Sequence, residues 1–228
     1  MKQIHLLFVL LLSVTFVFSQ ESTIEKAEFD KVMLGSLQAL INNPHRTIED
    51  SVVENSFGSI KHKTISEVNK IARRSIYESD SAVSYSKTES IYINGKRYTK
   101  KLNNPWMEEK IEIKPVINTI ETISNEVIYK SLGDKVLNDK KAKVYQTVTS
   151  TTRVNKEKGD SFTVNETETY YFDETGLMFR SETTSEMTHK PKVEANSAIL
   201  PKETKSITKR IKTVEIDQSI KIEEPQLG

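Results

Sequence analysis

From His45 onward the chain steps between apolar and polar side chains with a period of two, and no other feature narrows its possible folds as much. In Met107–Lys114, Ile111 and Ile113 share one side while Glu108, Lys110, Glu112 and Lys114 take the other. Ala142, Val144 and Val148 alternate with Lys143, Tyr145, Thr147 and Thr149 in the same way. Tyr170 and Phe172 repeat the pattern, and Leu177, Phe179 and Ser181 continue it with Met178, Arg180 and Glu182 opposite. Successive strand residues point to opposite faces, so this alternation predicts antiparallel strands with one wet face. Turn chemistry separates the runs. Asn94-Gly95 readily supplies the two positive φ angles of a tight hairpin, Asp173–Gly176 reads as a turn, and Lys156–Asp160 as a polar loop. The proline-bearing stretch Lys190–Lys202 reads as a connection before a last long strand, Glu203–Ile216.

One helix precedes this β region. Ser22-Thr-Ile-Glu25 has the form of a capping box, and Phe29, Val32, Met33, Leu37, Leu40 and Ile41 recur at three- and four-residue steps before Asn42-Asn43-Pro44 stops them. The polar side is mixed in sign, which suits a helix packed on a sheet better than one lying on a membrane. Ile120, Ile123, Val127 and Ile128 predict a short second helix within Pro115–Lys130, leading into a strand near Val127. No linker, repeat or low-complexity tract interrupts residues 45–225, so a single mainly β domain (α+β) is expected.

Met1–Phe18 follow the signal-peptide pattern: Lys2, an apolar run from Leu6 to Phe18, then Val17 and Ser19 at the −3 and −1 positions of a cleavage before Gln20. The run falls short of the roughly 20 residues that span a bilayer, so cleavage near Ser19 is expected rather than a permanent anchor. Residues 1–19 are then the leader, residues 20–228 the domain, and the periplasm or the exterior the destination. The leader holds one lysine and no acid, which leaves the remainder formally neutral. With no cysteine in the chain, disulfides, thiolate ligands, cysteine nucleophiles and an acylated N-terminal cysteine are all excluded.

Motifs for chemistry are sparse. His45, His62 and His189 have no metal-ligand spacing, and phosphate-loop, nucleophile-elbow and metalloprotease signatures are absent. Acidic residues mostly alternate with lysine, as on a solvated sheet face, so neither an enzyme nor a cofactor is expected. A hydrolase would need carboxylates that converge only in three dimensions. A net charge of +1 gives no basic footprint for nucleic acid. Asn165-Glu-Thr167 is a sequon that matters only in a eukaryotic secretory route. Trp106, the one tryptophan, reads as a plug at a sheet end, with a gated groove as the other option.

The order of these signals carries a resemblance. An apolar helix, alternating strands, Glu89–Lys100 closing on Pro105-Trp106, then Ser131–Asp139, Tyr171–Glu182 and the terminal Ile220–Pro225 resemble the LolA-like family of periplasmic lipoprotein carriers and related lipid-binding envelope proteins. The likeness runs from about Glu25 to Pro225. It implies a strongly curved antiparallel sheet, an incomplete barrel whose concave face is covered by the N-terminal helix and a short helix. It also implies a hydrophobic ligand: a lipid, a lipoprotein acyl chain or another apolar molecule. Ile111, Ile113, Val144, Val148, Tyr170, Phe172, Leu177 and Phe179 are then the expected apolar wall, and Phe29, Met33 and Leu37 the expected cover. The same side chains could instead meet the helix directly and leave no cavity. In that case the chain would be a docking module for an envelope protein.

Overall fold

The computed structural model describes residues 21–110, 120–192 and 202–227. The expected leader, Ile111, Ile113 and most of the Lys190–Lys202 connection lie outside them. After a two-residue strand β1 (Ser22–Thr23) comes the helix α1 (Lys26–Asn42). Six strands follow: β2 (His45–Asn55), β3 (Gly58–Val68), β4 (Ala72–Ser81), β5 (Tyr85–Ile93), β6 (Lys96–Lys101) and β7 (Met107–Glu109). A second series comprises β8 (Ile120–Leu137), β9 (Lys140–Asn155), β10 (Ser161–Phe172), β11 (Met178–Lys190) and β12 (Thr204–Ile216). They form one 12-stranded sheet in the order β1-β8-β9-β10-β11-β12-β2-β3-β4-β5-β6-β7. All neighbours are antiparallel. The β12–β2 pairing welds two meanders together, and because β1 and β7 do not pair, the barrel is incomplete.

The turns follow from local chemistry. Asn94 and Gly95 both take positive φ, 53° and 75°, and join β5 to β6 with Ile93 opposite Lys96. Asp173 Oδ1 accepts from Thr175 N, Thr175 Oγ1 and Leu177 N, so its carboxylate holds the β10–β11 turn together. Asn155 Oδ1 likewise accepts from Glu157 N and Lys158 N in the polar loop before β10.

Three sequence expectations are corrected. Ser22 and Thr23 form no capping box. They pair with Ser131 and Lys130 as β1, Lys130 Nζ donates to Glu21 Oε1 at 2.6 Å, and α1 starts after Glu25 without a side-chain cap. The described part of the expected short helix, from Ile120, is strand throughout. Its three-residue step from Ile120 to Ile123 comes from a bulge between Thr122 and Ser124, where an inserted residue lets a strand imitate a helical period. Finally, β11 does not alternate through Leu177, Phe179 and Ser181. Phe172 pairs with Met178 and Tyr171 with Arg180, so Phe179 is the extra residue of a bulge, and Met178 and Ser181 face the same way.

Two apolar clusters lie on opposite faces of the sheet. α1 covers Tyr145, Tyr170, Phe172, Met178 and Val214 with Phe29. From Val214 a cross-strand row runs Thr47, Ser66, Ser75, Ser90 and Thr99 on this inner face. Ile91, Ile93, Tyr98 and Ala72 therefore point to the outer face, where they cluster with Ile222 and are flanked by Ile220 and Trp106. The stretch after β12 thus closes the outer face as a strap, fastened by Tyr98 Oη donating to Glu224 and by an Asp217–Arg46 ion pair.

Candidate functional site: the groove beside the helix

α1 rests on an aromatic floor. Phe29 lies 5.2 Å from the Tyr129 ring, 5.3 Å from Tyr170 and 6.4 Å from Tyr145, and Tyr145 meets Phe172 edge-on at 5.7 Å. Val32, Met33 and Leu40 pack around this centre. Burial pushes the Tyr170 phenol well above its ordinary value, and its hydroxyl donates to Glu168 Oε2 at 2.9 Å. Buried Ser36 adds a polar staple: its Oγ accepts from Met178 N at 2.9 Å, at the N-terminal edge of the β11 bulge.

To one side of this contact α1 and the sheet leave an open groove of about 1330 Å³ between them. Tyr145 and Phe172 form its floor; Val32 and Gly35 of α1 form one wall, and Val136 of the β8–β9 hairpin faces them. The rim is charged in both signs, with Lys31, Lys135, Lys141 and Lys143 against Glu28, Asp134, Asp173 and Glu174. A Cβ added at Gly35 would meet nothing within 4 Å. Leu34, Leu37 and Ile41 line the other flank of α1 and are exposed.

The residues expected to form one wall are divided between two faces. Tyr170 and Phe172 lie beneath α1. Because Tyr145 pairs with Tyr170, the odd positions of β9 turn toward the helix, and Val144 and Val148 turn to the outer face. Leu177 is held in the β10–β11 turn, its N–H donated to Asp173. Phe179 stands beside Tyr171 at 6.4 Å with Lys140 Nζ 5.7 Å above its ring, lining a smaller pocket of about 340 Å³ with Ile48, Leu137 and Arg180. Of the expected cover, Phe29 and Met33 join the helix contact, whereas Leu37 is 51% exposed. Ser36 was missed, although its signal was present. Phe29, Met33, Ser36 and Leu40 follow a four-three-four spacing, which places a hydroxyl in the middle of the apolar stripe.

His45 Nδ1 contacts Asn43 O, His62 stacks on Tyr77, and His189 stacks on Phe162. Among the described residues no group of three His, Asp or Glu side chains is placed to hold a metal ion. Trp106 packs against the outer-face cluster as a plug. No helix among the described residues is long and apolar enough to cross a membrane.

These features define a class: an incomplete antiparallel barrel with one helix laid across its inner face and a groove beside it. No family model matches the sequence, and no curated protein matches it. Among solved structures the chain is similar to a candidate outer membrane lipoprotein-sorting domain from Vibrio parahaemolyticus, at 7% identity over 85% of this chain and 92% of that one, with a TM-score of 0.30. It is also similar to a LolA superfamily protein from Nitrosomonas europaea (4% identity, 82% and 93% covered, TM-score 0.29) and to a DUF1329 family protein from Desulfovibrio piger (9% identity, 86% and 94% covered, TM-score 0.29).

Proposed function

We propose that the chain is an exported binding protein of the cell envelope that holds a lipid, a lipoprotein acyl chain or another apolar molecule in the groove between α1 and strands β8–β10. The observation that carries this reading is the groove itself, with an aromatic floor, aliphatic side chains on both sides and charged side chains of both signs around them. Sheltering one methylene is worth roughly 0.8 kcal/mol, so about ten would supply ~8 kcal/mol before the costs of association. No catalytic group is needed for that, and the leader-like start of the sequence supplies the route of export to the periplasm or beyond.

Displacement of a fluorescent fatty acid, with native mass spectrometry of protein purified from cell envelopes, tests the reading. A bound apolar molecule and saturable displacement are expected. Gly35→Trp should weaken binding at least about tenfold by filling the groove, with an unchanged unfolding midpoint. Clean apo protein that displaces nothing would sink the proposal.

One observation favours a second reading, docking of an envelope protein. β1 pairs only with Lys130 and Ser131, and no described residue pairs with the outer edge of residues 121–128, where Ile123 and Ile128 are exposed. An extended segment of a partner could add there as a further strand. Val127→Pro should then abolish capture of that partner while leaving fatty-acid displacement unchanged.

A further inference from the structure

The far end of the β8–β9 hairpin stands apart from the rest of the sheet. β10 accompanies β9 only as far as the pair Phe172–Lys143, and β1 accompanies β8 only at Lys130 and Ser131. Among the described residues, 134–137 and 140–142 therefore pair across the hairpin and with no third strand on either side. Asn138 and Asp139 take positive φ, 51° and 63°, and close the tip tightly. The result is a two-stranded ribbon, and two strands without further neighbours are only marginally stable in water.

The root of this ribbon is built to bend. The register slips between Ser131 and Asp134, where Gly133 takes a φ of 69° that residues with a Cβ rarely adopt. A bulge interrupts the ladder, so the strand is not one stiff unit across it. Beyond the bulge, residues 134–141 are exposed apart from half-buried Leu137. Their charged side chains form no ion pair among the described residues; Lys140 Nζ rests 5.7 Å above the Phe179 ring instead. Segments with few buried contacts and exposed backbone bonds are the ones that open locally at least cost.

The ribbon also separates two hollows. Val136 and Lys141 pair with each other along the groove, and Val136, 70% exposed, faces Val32 and Gly35 of α1 across it. Leu137, Asn138 and Lys140 line the smaller pocket beside Phe179 and Arg180. A bend of the ribbon toward α1 narrows the first hollow and widens the second. The opposite wall stays in place, because Phe29 and Ser36 seat α1 on the sheet. On the reading that the groove holds the ligand, we propose that residues 134–142 are its flap, hinged at Gly133, which swings toward α1 and brings Val136 to Val32. The open groove leaves one side of a bound apolar chain in water, and Val136 is the apolar side chain placed to cover that side. Closure of such a flap sets how fast the ligand enters and leaves.

The chain has no cysteine, so a pair introduced across the groove reports on the flap without interference. Val32→Cys with Val136→Cys should form an intramolecular disulfide in the ligand-free protein under mild oxidant, since the closed flap brings the two Cα atoms within the roughly 7 Å that a disulfide requires. Lys140→Ala, added to that pair, removes the contact with Phe179 on the far side and should speed disulfide formation at an unchanged unfolding midpoint. Loading and release of a fluorescent fatty acid should each slow at least about tenfold in the crosslinked protein and recover on reduction. Absence of the disulfide, or rates of loading and release that the crosslink leaves unchanged, would overturn the flap. A fluorescent fatty acid that fails to bind even the unaltered protein would sink the groove reading instead, and formation of the disulfide in the ligand-free protein then decides the flap by itself.

Discussion

Ser36 shows how one atom holds α1 to the sheet. Its Oγ accepts from the buried N–H of Met178, so removing it takes a partner from a buried donor. Ser36→Ala should therefore cost about 1–3 kcal/mol, measured by urea denaturation, although it removes only one oxygen. Phe29 is the larger contact, and Phe29→Ala should cost about 3–5 kcal/mol by the same measurement. Asp160 contributes a pH dependence. Its carboxyl accepts from Lys192 N at 2.9 Å, with His189 Nε2 at 3.6 Å, and these partners hold it below its ordinary value of 3.8. A carboxyl whose value falls on folding stabilises the folded form above its unfolded value and loses that contribution as pH falls through the folded one. The urea midpoint should thus drop below about pH 4, and Asp160→Asn should flatten that drop.

At the level of single elements, the bulges explain most differences between sequence and structure. An extra residue in one strand moves every later side chain to the other face. That is why Ile120 and Ile123 look helical and why Phe179 leaves the row that contains Met178 and Ser181. The bulge between Ser131 and Asp134 uses Gly133 at φ 69°, where any Cβ is strained. Gly133→Val should destabilise the protein by roughly 1–2 kcal/mol in the same denaturation assay. Gly35 behaves in the opposite way. It lies within α1 with room for a Cβ, so Gly35→Ala should raise the unfolding free energy by about 1 kcal/mol and leave the groove open. α1 itself was legible as an amphipathic helix, but its stripe was not. Leu37 and Ile41 fit the three-and-four pattern and are still exposed, because the sheet contacts the narrower arc through Phe29, Met33, Ser36 and Leu40.

For the molecule as a whole, the absence of disulfides leaves two clusters on opposite faces to carry the fold. The inner one is closed by α1 and the outer one by the strap after β12. Removing the strap should expose Ile91, Ile93 and Tyr98 and bind an environment-sensitive dye such as anilinonaphthalene sulfonate, with a lower unfolding midpoint. Ile222→Ala, which opens a smaller gap beneath the strap, should cost about 2–4 kcal/mol. This cover was not foreseen. Ile220-Lys-Ile222 looks like one more short alternating run, and only its position across β5 and β6 gives it that role.

The sequence by itself determined the period of the strands, the chemistry of their turns, the helix, and the antiparallel and mainly β character, because these depend on residues close together in the chain. In β10 the alternation puts Tyr170 and Phe172 on one side, and in β9 it sets Tyr145 opposite Val144 and Val148. Which of those residues share a surface was decided only by the tertiary structure. Alternation sorts side chains within one strand but does not relate the faces of two strands, and the pairing of Tyr145 with Tyr170 settled that relation. The same pairing sent Val144 and Val148 to the outer face and put Tyr145 beneath the helix. The groove lies along the Glu28–Gly35 flank of α1, because the helix is seated on the sheet through Phe29 and Ser36, contacts more than a hundred residues apart.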